Sequence, residues 1–139
     1  MKTIEDGALR RISSGAPWED RVGYARAVVH ADQVWVAGTV SVGRTGDIYA
    51  PGDVGAQAQR CLEIIAEALR QAGTDTAHVV RTRIFVTDMR PETQAAVGAA
   101  HLAVFDAHRP ACTMVGVAAL AGPDYLVEIE ADAVLPQGD

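Results

Sequence analysis

Cysteine is scarce in this chain: among its 139 residues only Cys61 and Cys112 are cysteines. They form neither a CxxC pair nor the spacing of a zinc site, so the sequence predicts no metal centre. Two free thiols in a cytoplasmic protein are the simplest account of this usage. A disulfide-stapled scaffold is not indicated.

Long apolar runs and basic residues are also lacking. No stretch approaches the ~18–20 apolar residues of a membrane span, and the polar N-terminus, MKTIEDGALRR, has no apolar core of a secretory signal. Lys and Arg number 12 against 18 Asp and Glu, which leaves a net charge of -6. This balance opposes nucleic-acid binding, because attraction to phosphates requires clustered Lys and Arg.

Apolar residues, by contrast, make up 49% of the chain, which indicates a folded core. The length suits one domain that spans residues 1–139. Residues 1–20 carry no clear pattern. The first predicted strands share a β-rich composition and cover residues 25–29, 34–39 and 79–87. The first two are expected to form a hairpin that turns near Ala31 and Asp32.

The clearest helical pattern begins after Asp53, a plausible N-cap, and ends at Gly73. Its apolar residues recur at helical spacing and include Cys61, which we therefore assign to the core. Gln57 and four charged residues are expected on the opposite, polar face. A second helix is predicted from Pro91 to about residue 107.

Two histidines accompany the second predicted helix. His101 and His108 lie seven residues apart, about 10 Å in helical rise, which is too far for one metal ion. We expect both to be surface or interface residues.

Residues 110–134 predict two strands joined by a turn at residues 122–124. In the second strand, apolar Val127 and Ile129 alternate with Glu128 and Glu130, which is typical of a half-buried strand. The acidic face is either solvated or holds one carboxylate in a cleft. The element order ββαβαββ predicts an α+β fold: a two-layer sandwich of a mixed β-sheet with two helices on one face.

Several segments together resemble the RidA (YjgF-like) family of reactive-intermediate deaminases. They are GYARAV at 23–28, VWVAGTV at 34–40, DVGAQAQRCLEIIAEALRQAG at 53–73, HVVRTRIFVTDM at 78–89, and RPACTMVGVAAL with YLVEIEADAV between 109 and 134. The EIEA core of the last segment is the most specific. The resemblance implies a chorismate-mutase-like fold, a homotrimer with ligand clefts between subunits, and cytoplasmic hydrolysis of imines and enamines without cofactor or metal.

The same resemblance implies a site, and this chain departs from it at one important position. Glu128 matches the cleft glutamate of the family and is the candidate catalytic residue, and Tyr24 matches the cleft tyrosine. The family's active members hold the substrate carboxylate with an arginine where this chain has Cys112. Arg26, on the same strand face as Tyr24, is a candidate replacement, although it could equally be a surface charge paired with an acid. Arg109 is a weaker candidate.

The candidate substrate-binding residues are therefore Tyr24, Arg26, Gly38, Cys112 and Met114. Cys112 is expected to be a small apolar wall residue rather than a nucleophile, because no histidine is placed beside it in sequence. Met114 and Leu126 are expected on the sheet face away from the helices, where a second subunit would cover them. Three functions stay open: an imine or enamine deaminase with altered substrate choice, a non-catalytic trimeric binding module, and RNA cleavage, which the acidic charge opposes.

Overall fold

A computed structural model describes residues 1–137. The strands are β1 (Lys2–Asp6), β2 (Leu9–Ser13), β3 (Ala27–His30), β4 (Gln33–Thr39), β5 (Val79–Val86), β6 (Ala111–Gly116) and β7 (Val127–Val134). The helices are α1 (Pro17–Val22), α2 (Val54–Ala72) and α3 (Pro91–Phe105), and a 3₁₀ turn spans Thr76–His78. This α+β architecture confirms the predicted fold class, with α2 and α3 packed on one face of a mixed sheet.

The seven strands form one sheet in the order β1-β2-β3-β4-β7-β5-β6. Neighbours are antiparallel except β5 and β6, which are parallel. The predicted hairpin of β3 and β4 is confirmed. The N-terminal hairpin of β1 and β2 and the short helix α1 were not predicted. β6 and β7 exist as predicted, but β5 lies between them, so the turn at residues 122–124 does not close a hairpin.

Helix α2 begins and ends as the sequence predicts. The carboxylate of Asp53 accepts the backbone N–H of Ala56 at 3.0 Å, and Gly73 takes a left-handed conformation with φ of 98°. Cys61 is completely buried beneath the sheet, as expected.

Gln57 was assigned to the polar face of α2, and this assignment is wrong because Gln57 is completely buried. Its amide nitrogen donates to the carbonyls of Ala50 and Asp124, and its amide oxygen accepts the N–H of Leu126. One helix residue therefore satisfies the backbone of two separate loops.

The central strands point alternate residues to two sides of the sheet. In β7 the apolar residues Val127 to Ala133 are buried against α2, and the acids face the opposite side, as predicted. In β5 a register shift between Val79 and Arg81 leaves Val80 50% exposed, so it does not share the buried side of Thr82, Ile84 and Val86 as strict alternation would predict. We call the side of the sheet away from α2 and α3 the open face.

Candidate functional site

An irregularity in β4 shapes the open face around Glu128. Val36 pairs with Ala131 and Thr39 with Ile129, so Ala37 and Gly38 together stand opposite one residue of β7. Two residues opposite one define a β-bulge, a feature that is common next to active sites. The bulge brings Gly38 directly against the side chain of Glu128.

Gly38 leaves no room for a side chain at this contact. A Cβ atom on Gly38 would lie 3.1 Å from the carboxyl carbon of Glu128 and closer still to one carboxylate oxygen. Only glycine therefore permits the observed position of the Glu128 carboxylate. Gly38 was a candidate binding residue, and the structure places it beside the candidate acid.

Tyr24 and Arg26 complete this group, which we call the sheet-face cluster: Tyr24, Arg26, Gly38 and Glu128. The Nη2 atom of Arg26 donates to the carbonyl of Gly38 at 2.6 Å, and its guanidinium lies 5.8 Å from the centre of the Tyr24 ring. Tyr24 and Arg26 precede β3, so the predicted shared strand face is not formed, but the two side chains do lie close together. Four of the six predicted site residues thus meet on the open face.

The Glu128 carboxyl is electrostatically unusual. Burial raises the pKa of Glu128 above its ordinary value, Arg26 opposes this effect, and the neighbouring carboxylate of Glu130 adds to it. A carboxyl whose pKa is moved toward neutrality can both accept and return a proton. Glu130 and Asp132 differ from it, because Nη1 of Arg83 contacts their carboxylates at 3.4 and 3.2 Å.

Cys112 and Met114 lie elsewhere. Cys112 pairs with Thr82 and Met114 with Ile84, and the side chains of Thr82 and Ile84 point toward the helices. Cys112 and Met114 therefore face the helical side of the sheet, which contradicts the expectation that Met114 lies on the open face. Leu126 lies outside β7, and its N–H is bound to Gln57.

Both residues line a groove of about 290 Å³ between α3 and the edge strand β6, which we call the α3–β6 groove. Its walls are largely apolar and consist of Ile84, Leu102, Phe105, Pro110 and Met114, with Gly98, His101, Arg109 and Cys112 at the remaining positions. Cys112 is exposed there, and its role as a wall residue stays a prediction.

Arg109, the weaker candidate for holding a substrate carboxylate, lines the same groove. Its guanidinium is bound to Asp106, with Nη2 at 2.6 Å from the carboxylate and Nε at 3.1 Å from the backbone carbonyl. The guanidinium of Arg109 is thus already bound to Asp106 of the same chain.

His101 is a groove residue that sequence reasoning did not identify as part of a site. Its Nε2 lies 2.9 Å from the hydroxyl of the buried Thr82, and its ring packs on Phe105. Burial lowers the pKa of His101, so the imidazole is neutral at physiological pH. No local sequence signal indicates this contact, because Thr82 and His101 lie 19 residues apart on different elements.

The sheet-face cluster and the α3–β6 groove point to opposite sides of one sheet. Glu128 pairs with Phe85, and Cys112 lies on the next strand beyond β5, so the two also differ by two strand spacings of ~4.8 Å each. The two groups are thus separated within one chain. The predicted site residues therefore form two half-sites.

Comparison with known proteins identifies the family. The family model described as Endoribonuclease L-PSP matches residues 16–135. The chain belongs to this family, which includes the YjgF and RidA proteins. The resemblance found in the sequence is thereby confirmed.

Individual relatives agree along most of the chain. The crystal structure of Rv2704 from Mycobacterium tuberculosis, a member of the YjgF/YER057c/UK114 family, is 44% identical, has a TM-score of 0.82, and covers 91% of this chain and 99% of its own. The Streptomyces coelicolor protein SCO2049 is 38% identical over 91% of this chain and 92% of its own. The 2-iminobutanoate/2-iminopropanoate deaminase of Capra hircus is 32% identical over 91% and 90%.

Two further findings concern the part of the chain that is described. Residues 1–137 contain no helix that is long and apolar enough to cross a membrane. The same residues contain no group of three or more His, Cys, Asp or Glu side chains placed to hold a metal ion.

Proposed function

We propose that this protein is a RidA-like hydrolytic deaminase of reactive imines and enamines, with a substrate choice altered by Cys112. The observation that carries the proposal is the carboxyl of Glu128, held against Gly38 on a β-bulge with a raised pKa. The named deaminase activity of a relative that is 32% identical supports the reaction class.

The proposed reaction uses Glu128 twice. Its carboxylate accepts a proton from water while the water oxygen bonds to the carbon of a protonated imine, and the C=N electron pair moves to nitrogen. The protonated Glu128 then returns the proton to nitrogen, the C–N bond breaks as the C=O bond forms, and the hydroxyl proton passes to the departing ammonia, so that a carbonyl compound and ammonium are released. Because the imine carbon is already electrophilic, the proposal requires no cofactor and no metal.

The groove supports the altered substrate choice. Among the described residues that line it, Arg109 is the one permanent cation, and its fork is bound to Asp106. A substrate carboxylate entering the groove would lose water without gaining a counter-charge, which is unfavourable. An apolar group would instead gain ~25 cal/mol for each Å² removed from water. We therefore propose imines that lack a carboxylate as the preferred substrates.

An imine panel tests the function directly. Amino-acid oxidase generates 2-imino acids, and amine oxidase generates uncharged imines with the same side chain, while ammonium release is followed above the spontaneous rate. We expect acceleration of the uncharged series. If neither series is accelerated but the small molecules bind, the second candidate, a non-catalytic trimeric binding module, is favoured.

The two half-sites motivate a proposal about assembly. A second copy that docks its α3–β6 groove onto the open face would complete one cleft from two chains, and three copies would close a homotrimer. The open face carries large apolar side chains that are 41–48% exposed: Ile4, Trp35 and Val115. We propose a cytoplasmic homotrimer of one RidA-like domain per chain, residues 1–139, with clefts between subunits.

We expect light scattering at micromolar concentration to give the mass of three chains. Trp35→Glu places a charge in the proposed interface and is expected to yield monomers. Val104→Glu is the control, because Val104 is also exposed but lies on α3, on the other side of the sheet, and does not line the groove. A stable monomer of the natural protein, or equal behaviour of the two variants, would contradict the proposal.

We expect that the protein does not bind RNA, although its family model is described as an endoribonuclease. The net charge of -6 opposes phosphate binding, and the positive charge of Arg83 on the open face is compensated by Glu130 and Asp132. A gel shift with single-stranded RNA at low and physiological salt is the measurement. Salt-sensitive binding at sub-micromolar protein concentration would overturn this expectation.

A further inference from the structure

The backbone of Arg26 is fixed by hydrogen bonds to both neighbouring strands. Its N–H donates to the carbonyl of Ile12 at 2.8 Å, and its carbonyl accepts the N–H of Ala37 at 2.9 Å. It therefore continues the pairing of β3 with β2 and β4 by one residue. The side chain lies on the open face but is only 8% exposed.

The contacts of the guanidinium exclude a surface ion pair. Nη2 is bound to the carbonyl of Gly38, and within residues 1–137 no carboxylate forms an ion pair with Arg26. Its Nε is buried and has no hydrogen-bond partner in the described part of the chain. Thus the alternative that Arg26 is a surface charge paired with an acid is wrong.

A guanidinium in this position is costly to keep. Burial lowers the pKa of Arg26 because the charged form loses water, and Tyr24, Glu19 and Glu128 oppose that effect. Leucine or methionine could fill the same space without this cost. The arrangement is therefore best explained by what the charge does for a neighbour, and the neighbour beyond Gly38 is Glu128.

We propose that Arg26 is a positioning residue: it holds the Ala37–Gly38 bulge through the Gly38 carbonyl and fixes one buried positive charge beside the Glu128 carboxylate, rather than gripping the substrate. This inference rests on the proposed role of Glu128 as the acid–base group.

Other groups around Glu128 also influence its protonation. Glu130 faces it from the same strand and raises its pKa, and Arg83 on β5 reaches the adjacent acids. Tyr24 and Glu19 face Arg26 from the chain before β3, and Cys61 lies below on α2 with its own pKa raised to about 12, chiefly by burial. A test of Arg26 must therefore separate its charge from general changes on this face.

The test follows the carboxyl resonance of Glu128 by NMR across pH in the full chain. Arg26→Gln removes the charge, and we expect a higher pKa for Glu128 than in the natural protein. Arg26→Lys keeps the charge and is expected to restore most of the difference. Arg11→Gln is the matched control: it removes one arginine from the same face, which is bound to Asp6 on β1, and it is expected to leave the Glu128 titration nearly unchanged.

A second measurement needs no variant at Arg26. The Nε–H resonance of Arg26 is expected to shift as Glu128 titrates in the natural protein and to show no such step in Glu128→Gln. This keeps the inference testable if Arg26→Gln does not fold. The inference would be overturned by an unchanged pKa of Glu128 in folded Arg26→Gln. It would also be overturned by an Arg26 Nε–H resonance that does not shift as Glu128 titrates.

Kinetics separate positioning from substrate binding. If Arg26 positions Glu128, Arg26→Gln lowers kcat for charged and uncharged imines alike and moves the acidic limb of the pH profile. If Arg26 instead binds a substrate carboxylate, Arg26→Gln raises KM for 2-imino acids only, and the inference is wrong. The NMR measurements do not require turnover. They therefore test the positioning role of Arg26 independently of the deaminase proposal.

Discussion

Replacement of Cys112 by arginine is expected to raise hydrolysis of 2-iminopropanoate roughly ten- to a hundred-fold. A hydrogen bond to a charged group contributes ~1.5–3 kcal/mol, and a factor of ten in binding corresponds to ~1.4 kcal/mol. The natural protein offers a substrate carboxylate an apolar groove whose arginine is bound to Asp106. We therefore expect weak activity toward this substrate before the substitution.

The groove has space for the longer side chain. Cys112 is exposed, and a side-chain atom at Gly98, on the facing helix, would meet nothing within 4 Å. Cys112→Met is the matched control, because it adds length without charge and should leave 2-iminopropanoate hydrolysis unchanged.

The assay generates 2-iminopropanoate with an amino-acid oxidase and measures its decay above the spontaneous rate. No gain in a folded Cys112→Arg variant of natural oligomeric state would mean that the site differs at more than this position, and would favour the binding module. Strong activity of the unmodified protein would show that another group already holds the carboxylate.

Glu128→Gln is expected to abolish turnover of whichever imine the protein accepts. Glutamine preserves the shape beside Gly38 but can neither take a proton from water nor return it, and removal of a general acid–base group typically costs 10²–10⁴-fold in rate. Glu130→Gln is the matched control on the same strand, since Glu130 is bound by Arg83. Equal rates for the natural protein and Glu128→Gln would contradict the assignment.

The pH dependence of stability supplies a second measurement on this variant. Because burial raises the pKa of Glu128 in the folded protein, the folded chain binds more protons than the unfolded chain between the two pKa values, and stability falls as pH rises through that window. Glutamine does not titrate. We therefore expect Glu128→Gln to melt at a slightly higher temperature at neutral pH, and this advantage to vanish in acid.

Local sequence patterns correctly predicted the helices and strands that bury only one face. Helix α2 and the alternation of β7 were correctly assigned because each has a single apolar face and clear end signals. The hairpin of β1 and β2 was missed because β1 is an exposed edge strand and the two strands together bury only Ile12, so the sequence carries little apolar alternation. Gln57 was misplaced because its burial is explained by loops that are distant in sequence.

The site was predicted residue by residue but not as an arrangement. A strand period tells which residues share a face of that strand, and it grouped Tyr24 with Arg26, whose side chains do lie close together although both precede β3. It does not tell which face of the sheet a parallel edge strand such as β6 presents, and so Met114 was assigned to the wrong side. The bulge at Gly38 depends on the register of β4 against β7, which no local signal encodes.

The contrast between the two cysteines offers a chemical readout of this molecule. Cys112 is exposed in the groove, whereas the Cys61 thiol is buried in the core and its pKa is raised to about 12. Since the thiolate is the reactive form, an alkylating reagent should modify the native chain once, at Cys112, and slow down when the groove is occupied. The rate at which Cys61 is labelled would instead measure how often α2 opens from the sheet. One reagent therefore reports ligand occupancy at Cys112 and core dynamics at Cys61.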